Sequence, residues 1–271
     1  MRCVSLLLAL VMIAGCGKSE KEAAKGAASE RGEITRIASF SPAITSSLIA
    51  CGWRERLVGR SPWCRGADDV PVVGSLYEVD LERLAAANPQ VIFVQRSASG
   101  VPPSLNQAAM ERNWRVVQIP ATTLAEVRSL EEAIGVEIGE EPAVETLRQR
   151  WNAALAPCEM ARERSPCVLL YSAQPLQAFG ATSYLAEIWQ AWGGRVLPAR
   201  DMDSVLRLED LFALSPRSVL LVGSPDHALA HACQQQSVVY EVIPYPGLLR
   251  PGPELLEALE SWRSNGKSVS P

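Results

Sequence analysis

The sequence predicts an α/β protein of two lobes with mainly parallel sheets, and three observations carry that prediction. Short β-branched runs alternate with amphipathic helical stretches along most of the 271 residues. The phrase LERLAAANPQVIFV, from Leu81 to Val94, returns in altered form as LEDLFALSPRSVLLV, from Leu208 to Val222. Between the two phrases, about forty residues carry no strand pattern, which is long for one crossover and suits a connector.

The elements follow in order. ITRIASF reads as a strand, and AITSSLIACG as a helix stopped at Gly52. LVG is a short strand. VDLERLAAAN is a helix that must end before Pro89, because the residue preceding proline disfavours the α region. VIFV is a buried strand, SLNQAAMERN a helix and WRVVQIP a strand. Strands spaced by helices in this way pair in parallel through helical crossovers. From Thr122 to Arg164 the rhythm changes. TTLAEVRSLEEAIGVEI is helical, with Thr123 and Glu126 at capping-box spacing. PAVETLRQRWNAALAPCEMARER continues as a long helix with Pro142 in its first turn and Val144, Leu147, Trp151 and Leu155 on its apolar side. Alternation then resumes through CVLLYS, SYLAEIWQAWGG, RVLPA, RLEDLFALS, SVLLVG, DHALAHACQQQ, VYEVIP and GPELLEALESW. The domains expected are a lobe over 34–121, connector helices over 122–164 and a lobe over 165–271.

The first 33 residues stand apart. MRCVSLLLALVMIAGC has a positive start and an apolar run too short to span a bilayer. It resembles a bacterial lipoprotein signal with IAGC as the lipobox, which implies cleavage before Cys16 and lipid on its sulfur. The following stretch to residue 33 is polar and rich in Ala, Gly and Ser, and reads as a flexible tether. The folded part is therefore expected at a membrane surface in the cell envelope, facing the periplasm or the exterior.

Composition narrows the function. Net charge is −4, from 26 basic and 30 acidic residues without a basic block, which speaks against a nucleic-acid partner. Of 7 cysteines, five remain after Cys3 leaves with the signal and Cys16 is lipidated. In an oxidising compartment an odd count leaves at least one unpaired. Cys158 with Cys167 and Cys51 with Cys64 are candidate bridges. No C-x-x-C, nucleophile elbow, zinc-protease or phosphate-loop motif occurs in the folded part, so neither an enzyme nor a resident cofactor is expected. His227 and His231 share a helix face, but two ligands do not close a metal site.

RIASFSPAITSSLIACGWRERLVGRSPWC, VPVVGSLYEVDLERLAAANPQVIFV, LRLEDLFALSPRSVLLVG and PYPGLLRPGPELLEALESW together resemble the substrate-binding proteins of ABC importers for cobalamin, haem and ferric siderophores. The cobalamin-binding type is nearest in length and segment order. The resemblance implies two Rossmann-like lobes joined by a long backbone helix, with a ligand held between them by a monomer. It implies an ABC permease and ATPase as partners, and docking of Glu82 and Glu209, one per lobe, on basic residues of the permease. Each glutamate also suits the positive end of its own helix.

Ligand contacts are expected at the carboxyl ends of strands. In the first lobe these are Ser41, Pro42, Trp63, Tyr77 and Arg96. In the second they are Phe179, Asp203 and Tyr245. The chain departs from the cobalamin-binding type at Leu76, near Asp203 and around Pro246, so haem or a ferric siderophore also fits as ligand. A bilobed lipoprotein enzyme or interaction module without a transport role is the alternative in another class.

Overall fold

The structure, a computed structural model, describes residues 33–198, 200 and 203–265. The signal, Cys16 and the tether up to residue 32 lie outside the described residues. The first lobe is built on a parallel sheet in the order β2-β1-β3-β4, with β1 Ile37–Ser39, β2 Leu57–Arg60, β3 Val91–Gln95 and β4 Arg115–Ile119. Helices α1 (Pro42–Ala50), α2 (Leu81–Ala87) and α3 (Pro103–Arg112) make its crossovers. The first of them starts where the sequence says it should. Ser41 accepts from the Ile44 N–H and Pro42 takes the first helical position, where its missing N–H costs nothing.

The second lobe has β5 Cys167–Ala173, β6 Leu176–Ala178, β7 Val196–Leu197, β8 Ser204–Leu206, β9 Ser218–Val222 and β10 Val239–Ile243. Strands run in the order β10-β9-β5-β6-β8, and β7 joins the start of β5. The pairs of β5 with β9 and β7, and of β9 with β10, are parallel. The pairs of β6 with β5 and with β8 are antiparallel. Neither β6 nor β8 was expected, because three-residue strands show no periodicity to read.

The segment between the sheets is helical, as expected, but in four pieces rather than the two helices read from the sequence or the long backbone helix that the resemblance implies. These are α4 Leu124–Arg128, α5 Leu130–Ile138, α6 Glu145–Ala154 and α7 Glu159–Glu163. The capping box of α4 forms as read: the Glu126 N–H donates to Thr123 Oγ1 and the Thr123 N–H to Glu126 Oε2. Ser129 breaks the run after one turn, its hydroxyl donating back to Ala125 O. The expected long second helix stops at Ala154 because Pro157 cannot continue the hydrogen-bond ladder. The pieces are shared between cores. Leu130, Ile134 and Ile138 of α5 pack in the first lobe. Val127, Trp151 and Ala161 pack in the second.

Helices α8 (Tyr184–Ala191), α9 (Leu208–Ala213), α10 (His227–Gln235) and α11 (Pro253–Asn265) complete the second lobe. The repeated phrase gives the same local structure twice. In each copy a short helix ends and a non-glycine residue before proline takes a left-handed conformation, Asn88 at φ 43° and Ser215 at φ 52°. A buried strand, β3 or β9, follows. All five cysteines of the described residues are free thiols, so neither candidate bridge forms.

One buried acid lies where α1 and α5 meet. Ser47 Oγ donates to Glu131 Oε1 over 2.7 Å, and among the described residues no cation pairs with that carboxyl. Burial pushes the Glu131 pKa up, with the Glu132 charge adding to it, while the Ser47 bond works the other way. Nearby Cys51 is pushed up to about 12, by burial first and the Glu131 charge second. Glu131 therefore holds its proton to higher pH in the folded chain than in the unfolded one. Its contribution to stability is complete at acid pH and is lost as pH rises through the raised pKa. Glu131→Gln, which keeps an acceptor for Ser47, is expected to be more stable than the parent at pH 8 by about 1–3 kcal/mol and not at pH 4. Thermal melts of both proteins across that range check it; parallel stability curves would refute the assignment.

Candidate functional site

A cavity of about 390 Å³ lies between the lobes. The first lobe contributes Pro42 and Ala43, at the start of α1, and Gln95, at the end of β3. All three follow the rule that open parallel sheets place ligands at strand carboxyl ends. Ser41 lies just behind them. It is buried, and its hydroxyl donates to Gln95 Oε1 over 3.2 Å, so it orients the amide that reaches the cavity.

The second lobe contributes a ladder of three rings. Tyr171 and Phe179 have centroids 4.9 Å apart at 60°, and Phe179 and Tyr184 6.2 Å apart at 67°. Such tilted and edge-on contacts add about 0.5–1.5 kcal/mol each beyond the area they bury. Tyr184 is fixed by its hydroxyl, which donates to Leu248 O over 3.0 Å. Asp203 completes this wall, accepting from the Gly180 N–H over 2.8 Å. Burial, and then the Asp203 charge, push both tyrosine pKa values up, so both are neutral phenols near pH 7. The last wall is Leu249, Arg250 and Pro251, and the Arg250 guanidinium is paired with Glu254 over 2.6 Å.

Of the residues expected from sequence, Pro42, Phe179 and Asp203 line this cavity. Trp63, Tyr77 and Arg96 do not; they are exposed on the surface of the first lobe, Trp63 at 71% and Tyr77 at 86%. The backbone still puts them on the strand-end edge. Trp63 follows β2, Arg96 follows β3, and Tyr77 follows a bridge at Val72 that runs parallel to Arg60. Arg96 acts locally on Glu126. Burial opposes ionisation there, but N–H donors of Thr123 and Thr122, the Thr123 hydroxyl and the Arg96 charge outweigh it and lower the pKa. Tyr245 packs against the second-lobe core instead of lining the cavity. Gln95 and Tyr171 were not singled out from sequence, although both close or nearly close a strand, where the strand-end rule could have found them. Arg250 had no such signal, because its loop follows β10 at a distance.

Glu82 and Glu209 are both exposed in the first turns of α2 and α9. Each helix runs into a parallel strand through a short turn, so its far end lies at that strand's carboxyl edge. The two carboxylates thus occupy equivalent places in the two lobes. His227 and His231 are exposed on α10, and among the described residues no group of three or more His, Cys, Asp or Glu is placed to hold a metal.

No family model matches the chain, and no curated protein does. Solved structures match over most of their length. The periplasmic vitamin B12 binding protein BtuF of Vibrio cholerae shares 18% identity, covering 86% of this chain and 96% of its own, with a TM-score of 0.62. The periplasmic heme binding protein HutB of Vibrio cholerae shares 17%, covering 85% and 98%, at 0.67. A periplasmic heme binding protein from Pseudomonas aeruginosa shares 20%, covering 88% and 95%, at 0.60. The likeness is one of fold: this chain has the two-lobed architecture of these binding proteins.

The two tyrosines of the ladder should separate by mutation. Tyr184→Phe leaves the buried Leu248 carbonyl without its donor and is expected to cost about 1–3 kcal/mol of stability. Tyr171→Phe removes a hydroxyl that bonds to no other described residue and should change stability by less than about 0.5 kcal/mol. Chemical denaturation of both variants checks the difference, and equal losses would contradict the hydrogen-bond assignment.

Proposed function

We propose that this chain is the solute-binding component of an ABC importer, tethered through a lipid on Cys16. It takes a bulky metal chelate of the cobalamin, haem or ferric-siderophore kind and hands it to the permease. The observation that carries the reading is the cavity between the lobes, walled by an aromatic ladder on one side and by the start of α1 and the Gln95 amide on the other. Its volume is at the lower end of the ~300–1,000 Å³ usual for ligand pockets. A bulky ligand therefore sits in it with part of its surface and extends over the exposed edge where Trp63 and Tyr77 stand. The fold shared with the vitamin B12 and heme binding proteins supports this use of the cavity.

The protein does no chemistry on its cargo in this reading. Ser41, behind the cavity, is committed to Gln95 and to its helix N-terminus, and both histidines stand exposed on α10. Glu82 and Glu209 make the docking points. One acidic group on each lobe sets a two-point register with basic groups on the permease, so that both lobes are sensed at once.

Purified protein titrated with haemin, cyanocobalamin and a ferric siderophore is expected to bind at least one of them at a single saturable site, seen as a visible absorption change. A flat response to all three removes the reading. Charge reversal of both Glu82 and Glu209 to Lys should reduce uptake by roughly tenfold or more while leaving ligand affinity within about twofold. Unchanged uptake in the double variant would dismiss the docking role.

A further inference from the structure

The loop over residues 61–70 leaves β2 at its carboxyl end and carries Trp63. Six of the seven tryptophans are buried; Trp63 alone is exposed, while its neighbours Ser61 and Cys64 are fully buried. A large ring is thus held open to solvent on a loop anchored close on both sides. The anchor is Arg60, the last residue of β2, whose side chain is only 10% exposed. Its Nε donates to Val70 O over 3.1 Å. Its Nη1 donates to Cys64 O over 3.1 Å and Ser61 O over 3.3 Å. Its Nη2 reaches Asp68 O at 3.4 Å and the Asp68 carboxylate at 3.5 Å. One planar fork therefore ties four points of the loop that follows it, a task suited to the five fixed donors of arginine and not to an ammonium. Thr45 Oγ1, donating to Cys64 Sγ over 3.0 Å, pins the same loop to α1, the helix whose first residues line the cavity.

We propose that Arg60 is a positioning residue for ligand capture, preorganising the 61–70 loop so that Trp63 stands as a fixed platform for the flat apolar face of a ligand. The inference rests on the binding function proposed above. Ordering a loop and a large side chain during binding weakens affinity, and a guanidinium that has already ordered them removes that cost. Arg60 touches no ligand itself; it acts through the ring.

The test uses the full chain with 5-fluorotryptophan, the Trp63 resonance being assigned by Trp63→Phe. In ligand-free protein, Arg60→Met is expected to broaden or split the Trp63 fluorine signal and to leave the other six in place. Arg60→Lys, a milder change, should do so less. Haemin affinity should fall about fivefold on Arg60→Met in the parent and less than about twofold in a Trp63→Ala background. A Trp63 signal unchanged in both Arg60 variants, or equal losses of affinity in the two backgrounds, overturns the proposal. If the parent binds none of haemin, cyanocobalamin and a ferric siderophore, the transport reading fails, and the fluorine spectra of the free protein still decide whether Arg60 fixes the ring.

Discussion

The site depends on one close approach, that of Gly252 to α1. Gly252 is buried with φ at 110°, a conformation that side chains rarely adopt. A Cβ at this position would lie 3.4 Å from Ala43 O and Ser47 Oγ and 3.5 Å from Leu130 Cδ2. The two residues before it, Arg250 and Pro251, wall the cavity. The helix after it, α11, buries Leu255, Leu256, Leu259 and Trp262 in the second-lobe core. A single stretch of backbone is thus cavity wall, contact with the first lobe and lead-in to the second. This stretch meets α1 beside the Ser47–Glu131 hydrogen bond.

The two walls differ in kind. Behind the ring ladder lies a tryptophan cluster in which Trp189 stacks on Trp262 with centroids 5.7 Å apart, and Trp192 meets Trp262 edge-on at 5.0 Å. Trp192 Nε1 donates to Ala154 O over 2.7 Å, which fastens α8 to α6 of the connector. Close-packed rings of this size leave little room to shift, so the second-lobe wall is a stiff apolar surface. The first-lobe wall is thin by contrast, made by Pro42 and Ala43 at the start of α1 and one glutamine amide. Its aromatic surface stands outside the cavity, on a loop held by hydrogen bonds.

Much of this was legible in the sequence where a physical rule is local. Ser41-Pro42 caps a helix, Thr123 and Glu126 make a capping box, and the repeated Leu-Glu-x-Leu phrase gives matching helix–strand units; all of these depend on neighbours within a few residues. What could not be read is what depends on distant partners. The strands β6 and β8 exist because β5 and each other supply hydrogen bonds, and no three-residue stretch announces that. The connector reads as two helices, yet Ser129 divides the first and Pro157 cuts the second short. At the site, the strand-end rule finds Pro42 and also reaches Gln95 and Tyr171. Arg250 comes to the cavity only because Gly252 brings its loop against α1. Trp63 and Tyr77 lie on the edge the rule names, but a rule about edges does not say how far the enclosed space extends.

In the proposed binding role, the charges of the cavity bear on how a ligand would be held. Asp203 is engaged by the Gly180 N–H, and Arg250 by Glu254. Each charge on the wall is thus already partly satisfied within the protein, and a ligand ion would have to compete with those partners for it. Two neutral groups stand beside them, the Gln95 amide and the Tyr171 hydroxyl, which burial and then the Asp203 charge keep protonated. Binding energy then comes mainly from apolar contact with three rings, at about 25 cal/mol for each Å² of apolar surface removed from water. Two neutral hydrogen-bonding groups on opposite walls set the orientation. Such a surface selects by flatness and outline, because the apolar contact is lost wherever the ligand fails to lie against the ladder.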